Sequence, residues 1–154
     1  MAGYHKYVFN APKRHFVGKF EDMYRSEDVE GFDSWHERDV RPIRKTIPLV
    51  LLNQYNFNRI LEIGCGKGTF TQFLKKINNQ VIALDISKTA ISKAEKSYPD
   101  ITFKTFYIAK GNLLELTSEG LFDLVVVMGT FAYIESWTEV LKNISKITRY
   151  FFVA

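Results

Sequence analysis

The chain has 154 residues, 46% of them hydrophobic, 25% charged and 15% aromatic, with 4 prolines and 9 glycines, which fits one globular domain and excludes disordered and collagen-like chains. Twenty-one Lys and Arg against 17 Asp and Glu give a net charge of +4, spread along the chain, so composition demands neither nucleic acid nor an anionic membrane as partner. Cys65 is the single cysteine, which excludes an internal disulfide and a multi-thiolate zinc site and points to a reducing, cytoplasmic home without a metal centre. No apolar run approaches the roughly 20 residues of a membrane span, and the first ten residues lack a signal-peptide core.

Residues 1–58 mix aromatics (Tyr4, Tyr7, Phe9, Phe16, Phe20, Tyr24, Phe32, Trp35) with charges at irregular spacing and read as a helical, lid-like segment. From Ser34 an apolar side recurs at Val40, Ile43, Ile47, Val50 and Leu51, the spacing of a helix face, with Pro42 and Pro48 positioned to kink or split it. From Arg59 the texture changes to short apolar runs separated by helical stretches. Strands are predicted at 59–63, 80–85, 101–108, 122–128 and 149–153, and helices at 69–76, 87–97 and 137–147, the second capped by the Ser87 hydroxyl and ended before Pro99. Strands alternating with helices predict parallel βαβ units, so residues 59–154 read as a Rossmann-like α/β core with an open parallel sheet.

The most informative segment is Ile60-Leu61-Glu62-Ile63-Gly64-Cys65-Gly66-Lys67-Gly68-Thr69-Phe70. A strand ends, three glycines follow at alternate positions, and a helix begins, an arrangement that lets a ligand lie on bare backbone beside unpaired N–H groups. Asp85 closes the second strand, which in a right-handed βαβ unit sets its carboxylate beside that loop, ready to accept hydrogen bonds from a ribose diol. An acid buried at Glu62 calls for a donor or a ligand amine. A tight packing turn is the plain alternative for the glycines. The dinucleotide pattern G-x-G-x-x-G would need glycine at position 69, where Thr69 stands, which disfavours a NAD(P)-dependent oxidoreductase.

G-x-G-x-G with an acid two residues ahead resembles motif I of the class I S-adenosylmethionine-dependent methyltransferases. The run VIALDIS at 81–87 resembles that family's second strand with its ribose-binding acid, and FDLVVV at 122–127 its fourth. More loosely, 27–45 and 121–134 are similar to the nodulation-type N-methyltransferases acting on sugar amines. The resemblance implies S-adenosylmethionine as cofactor, S-adenosylhomocysteine as product, and a small-molecule or sugar acceptor, with nitrogen as acceptor atom. It implies that Gly64, Cys65, Gly66 and Gly68 lie along the methionine portion, Glu62 faces the amino group, Asp85 the ribose and Ile86 the adenine face. Asn112 and Leu113 would stand at the adenine amino group, Arg41, with Arg44 beside it, over the carboxylate, and Met128, with Gly129, Thr130 and Phe131, beside the sulfonium. Tyr24, Trp35 and His36 are lid candidates, Cys65 is read as inert, and no residue is singled out as catalytic base. A cofactor-binding scaffold without turnover is the remaining alternative, favoured by Gly129 and by Asn112 in place of an acid.

The family's sheet has seven strands in the order 3-2-1-4-5-7-6, so this chain is expected to show five, with the usual strands six and seven missing. That leaves an apolar edge at the fifth strand, to be covered by further chain in a longer protein, by a second copy in a homo-oligomer, or by the aromatic N-terminal segment.

Overall fold

The structure, a computed structural model, describes residues 3–10, 15–37, 39 and 42–154. Five parallel strands, β1 (Arg59–Ile63), β2 (Gln80–Asp85), β3 (Thr102–Thr105), β4 (Phe122–Val127) and β5 (Thr148–Val153), form one sheet in the order β3-β2-β1-β4-β5. Central β1 pairs Ile63 with Leu84 of β2 on one side and with Val127 of β4 on the other, so three strand ends meet at one level. This is the Rossmann-like α/β fold that the alternating pattern predicts, and the crevice beyond those carboxyl ends is where open α/β sheets bind ligands.

The helices are α1 (His5–Val8), α2 (Phe20–Glu30), α3 (Ile43–Leu52), α4 (Thr71–Leu74), α5 (Lys88–Ser97) and α6 (Trp137–Ile144), with short 3-10 turns at Ser34–His36, Leu113–Thr117 and Phe131–Tyr133. Alternate strand residues feed two cores. Ile60, Val81, Ala83, Leu124 and Val126 pack with Phe70, Leu74, Ile91 and Ala94, and Leu61, Ile63, Leu84, Val125 and Val127 pack with Leu116, Val140 and Ile144. Each fully buried aliphatic side chain stabilises the fold by roughly 1.5–3 kcal/mol, and burial on both faces explains why the strands read as uniformly apolar rather than alternating. A third cluster, Tyr4, Val8, Met23 and Tyr24 on Ala90, docks the N-terminal segment on α5.

Several boundaries differ from the sequence expectation. The helix predicted at 69–76 is one turn, because the Asn79 side chain accepts from Lys76 N at 2.8 Å and donates to Leu74 O at 2.8 Å, offering the backbone a turn in place of the next helical bonds. The third strand stops at Thr105, where a turn closed by Lys110 N and Gly111 N on Tyr107 O follows. No helix starts at Ser34. Trp35 (φ 60°) and His36 (φ 50°) are left-handed there, and α3 begins after Pro42. The predicted apolar face of that helix is exposed, Ile43 by 71% and Ile47 by 54%, while Lys45, Pro48 and Leu52 are buried. Val40, assigned to the same face, lies outside the described residues. Among the described residues no helix is long and apolar enough to cross a membrane.

Candidate functional site

The loop after β1 returns to β2 immediately, with Gly64 N and Cys65 N donating to Leu84 O at 2.7 and 2.9 Å. Gly64 (φ 79°) leaves room for Thr130, whose hydroxyl a Cβ at that position would strike. Gly66 (φ 54°) leaves room for a carboxylate, since a Cβ there would lie 2.5 Å from Glu37 Oε1 and 2.7 Å from the Tyr24 hydroxyl. Gly68 serves packing, with the Phe103 ring 2.8 Å from its Cβ position.

Three carboxylates surround this loop. Asp85, at the end of β2, accepts from Gly66 N on Oδ2 and from Ser87 N on Oδ1, both at 2.9 Å. Burial raises its pKa, and the N–H groups of Ser87 and Gly66 oppose that rise. Glu62 on β1 is 1% exposed, and its Oε2 has no hydrogen-bond partner. Burial pushes its carboxyl up to about 7, the nearby Thr71 hydroxyl opposes the rise, and the charges of Glu37 and Asp85 add to it. Glu37 accepts from the Tyr24 hydroxyl at 2.8 Å and from Lys67 N at 2.9 Å. Burial lifts it to about 7 as well, against the pull of the Lys67 charge and the two donors.

The N-terminal segment is fastened over the loop through charged groups. Lys67 Nζ bonds Glu27 at 2.8 Å and Asp33 at 2.7 Å, and Glu27 also takes Ser34 N at 2.8 Å and Lys93 Nζ at 3.0 Å. Lys45 of α3 donates to the carbonyls of His36, Glu37 and Asp39 at 3.0, 3.0 and 2.6 Å, and Arg44 Nη2 donates to Trp35 O at 3.0 Å. Between this lid and the strand ends lies a cavity of about 650 Å³. Aromatic rings wall its upper part, with Trp35 5.3 Å from Tyr133 and 5.2 Å from Tyr4 between ring centres.

Of the residues predicted from the sequence, Glu62, Gly64, Cys65, Gly66, Asp85, Ile86 and Met128 line this one cavity, together with Arg44, Gly129, Thr130 and the lid candidates Tyr24, Trp35 and His36. Cys65 is buried, and burial keeps its thiol well above the ordinary value, so it is a poor nucleophile. Gly68 is not among the cavity walls. Asn112 is exposed and caps the 3-10 turn that follows it, accepting from Leu114 N at 3.1 Å, and Leu113 points into the core. Neither reaches the cavity, because the turn at 107–111 sets the segment apart from the strand-end register assumed for it. Arg41 lies outside the described residues. Sequence reasoning missed Glu37 and Lys45, which lie in the stretch from Ser34 that was read from its apolar side alone, so that charged positions beside that side gave no signal. No group of His, Cys, Asp and Glu among the described residues is arranged to hold a metal ion. A mostly apolar cavity with acids at one end suits a ligand that carries a ribose and a positive charge.

Residues 61–149 match the family described as a methyltransferase domain. Malonyl-acyl-carrier-protein O-methyltransferase of Priestia megaterium is 33% identical over 112 residues, covering 68% of this chain and 40% of that protein. Ubiquinone biosynthesis O-methyltransferase of Vibrio cholerae is 27% identical over 138 residues, covering 86% of this chain and 55% of that one. Nodulation protein S of Sinorhizobium fredii is 26% identical over 115 residues, 75% of this chain and 49% of its own. The chain thus spans about half the length of these relatives or less. Among solved structures, the N-terminal domain of EvdMO1 with S-adenosylhomocysteine bound superposes with a TM-score of 0.67 at 15% identity, over 79% of this chain and 52% of that one. The match covers more than half of the sequence and the sheet order agrees with it, so the chain belongs to the methyltransferase domain family, within the class I S-adenosylmethionine-dependent group.

Proposed function

We propose that the cavity binds S-adenosylmethionine and that the protein transfers its methyl group to a small-molecule acceptor. The observation that carries this is Glu62, whose buried Oε2 has no hydrogen-bond partner, in the wall of the same cavity as Asp85, Gly64 and Gly66. A buried acid left without a donor is costly, and a ligand ammonium offsets that cost. On this reading Asp85 accepts from the ribose hydroxyls, Ile86, 45% exposed at the cavity wall, packs on adenine, and Arg44 faces the carboxylate. The bound cofactor supplies an activated methyl group on a sulfonium leaving group. The protein's own residues align the acceptor and exclude water, Met128 and Thr130 from below and the rings of Trp35, Phe20 and Tyr133 from above. The names of two curated relatives specify O-methyltransferases, which favours oxygen as acceptor atom over the sugar nitrogen expected from the sequence. The outer edge of β5 serves, on the same reading, to pair with a second copy.

Isothermal titration tests the reading. S-adenosylmethionine and S-adenosylhomocysteine should both bind, and NADH should leave the fluorescence of Trp35 unchanged. A folded protein that binds neither adenosyl compound at millimolar concentration overturns it. Binding without methylated product across phenol, carboxylate and amine acceptors would favour a scaffold without turnover.

A further inference from the structure

We propose that Glu37 is a ligand for the α-ammonium group of the cofactor, delivered by the lid and paired in the cavity with Glu62. This rests on the reading that the cavity takes S-adenosylmethionine. The carboxylate lies directly on the glycine loop, with Oε1 and Cδ 2.5 and 2.9 Å from the point where a Cβ of residue 66 would stand. Glu62, on β1 and with one oxygen unpartnered, lines the same cavity, and the two carboxylates are close enough for the charge of Glu37 to raise the Glu62 pKa.

Among the described residues, the basic groups around the loop have other partners. The Lys67 ammonium is held by Glu27 and Asp33, that of Lys45 by three main-chain carbonyls, and Arg44 Nη2 by the Trp35 carbonyl. Two acids lining one cavity, with the described lysines around them held by other partners, form a receptor for a cation that arrives from outside. Glu37 also has room to accept. Tyr24 and Lys67 N take two of the roughly four lone-pair directions of a carboxylate, and Thr69 Oγ1, at 3.4 Å, makes only a weak third contact.

The chain holds Glu37 in this place at a cost. The two residues before it, Trp35 and His36, are left-handed, a conformation that costs about 1–3 kcal/mol per residue and persists where the surroundings over-determine it. The Lys45 clamp on the carbonyls of residues 36, 37 and 39 is that over-determination. Among the described residues, the groups that act on Glu37 or feel its charge are Tyr24 from α2, Lys45 from α3, Glu62 from β1, Cys65, Lys67 and Thr69 from the glycine loop, Asp85 from β2 and Tyr98 after α5. Burial of both acids, which lifts each to about 7, means that a bound ammonium draws protons off the pair near neutral pH.

Three probes separate this role from a structural one: S-adenosylhomocysteine, its analogue lacking only the amino group, and 5′-methylthioadenosine, which lacks the whole amino-acid portion. Glu37→Gln should weaken S-adenosylhomocysteine by roughly ten- to a hundredfold, the scale of a charged hydrogen bond, and leave the other two unchanged. In the unaltered protein, titration in buffers of different ionisation enthalpy should show proton release with S-adenosylhomocysteine and none with methylthioadenosine. Equal weakening of all three probes would make Glu37 a purely structural residue and overturn the proposal, as would unchanged binding of the first. If Glu37→Gln does not fold, Glu37→Asp, which keeps the charge and retracts it by one methylene, should show the same selective loss in smaller measure, and an unselective loss overturns the proposal. An unaltered protein that binds none of the probes rejects the cofactor reading itself. One that binds the amino-free analogue as tightly as S-adenosylhomocysteine keeps that reading and rejects the role of Glu37.

Discussion

Glu62 links the stability of the ligand-free chain to pH. Its carboxyl titrates at about 7 in the fold, against an ordinary value of 4.5, because burial disfavours the charged form. Between those values the folded chain holds a proton that the unfolded chain has lost, so stability falls as pH rises through the window and is fully present below it. Glu62→Gln removes this dependence. Its unfolding free energy should match that of the unaltered protein near pH 5 and exceed it near pH 8, by an amount on the order of 3 kcal/mol. Calorimetry at the two pH values checks this, and an equal drop at both would show that the carboxylate is held by a partner. Glu62, Asp85, Gly64 and Gly66 were legible in the sequence because strand ends fix their places. Ile63 pairs with Leu84, so whatever flanks those two residues meets in space. Glu37 was not legible, since it reaches the site through a loop whose path depends on left-handed residues and on a lysine eight positions further on. Asn112 and Leu113 were misplaced for a related reason, as a turn of a few residues moves whatever follows it.

At the scale of elements, α3 works as a bracket for the lid. Lys45 is 9% exposed, and burial lowers its pKa while the Glu37 charge opposes that effect. Its ammonium satisfies three carbonyls of the segment that carries Glu37 to the glycine loop. Lys45→Met keeps the apolar stem and removes the donor. Hydrogen exchange should accelerate across residues 34–39 while the strands stay protected, with a stability loss of about 2–3 kcal/mol, the cost of stranding such groups, and weaker binding of S-adenosylhomocysteine. Unchanged exchange in that segment would show that Arg44 and Glu27 suffice to hold it. The sequence placed β1 and β2 at their observed bounds and the Ser87 cap on Ala90 N, at 3.1 Å, because buried strands and N-caps are local signals. It marked the apolar side of α3 without saying what that side meets, since period alone cannot tell a stripe that faces a core from one that lines a cavity, and Ile43 and Ile47 belong to the latter.

For the whole molecule, one edge of the sheet sets the remaining question. β3 closes one side with four residues, and β5, six residues long, pairs with β4 through Leu124 on Tyr150 and Val127 on Val153. The aromatic N-terminal segment, one of the expected covers, packs instead on α5 and Tyr133, and leaves Tyr150 65%, Phe151 50% and Val153 44% exposed. A long apolar edge strand templates pairing with another chain, and natural edges resist this with charge, especially lysine. Arg149 is the only charged residue in the strand. A chain of these 154 residues alone is expected to associate through β5, with a dimer fraction that grows with concentration in sedimentation velocity. Tyr150→Lys combined with Phe151→Lys should return it to a monomer without weakening S-adenosylhomocysteine, because neither side chain lines the cavity. A protein that stays monomeric throughout the concentration range would show that this edge does not recruit a second copy, and an edge-charged variant that loses ligand binding would show that β5 and the cavity are coupled through Phe152, which borders both.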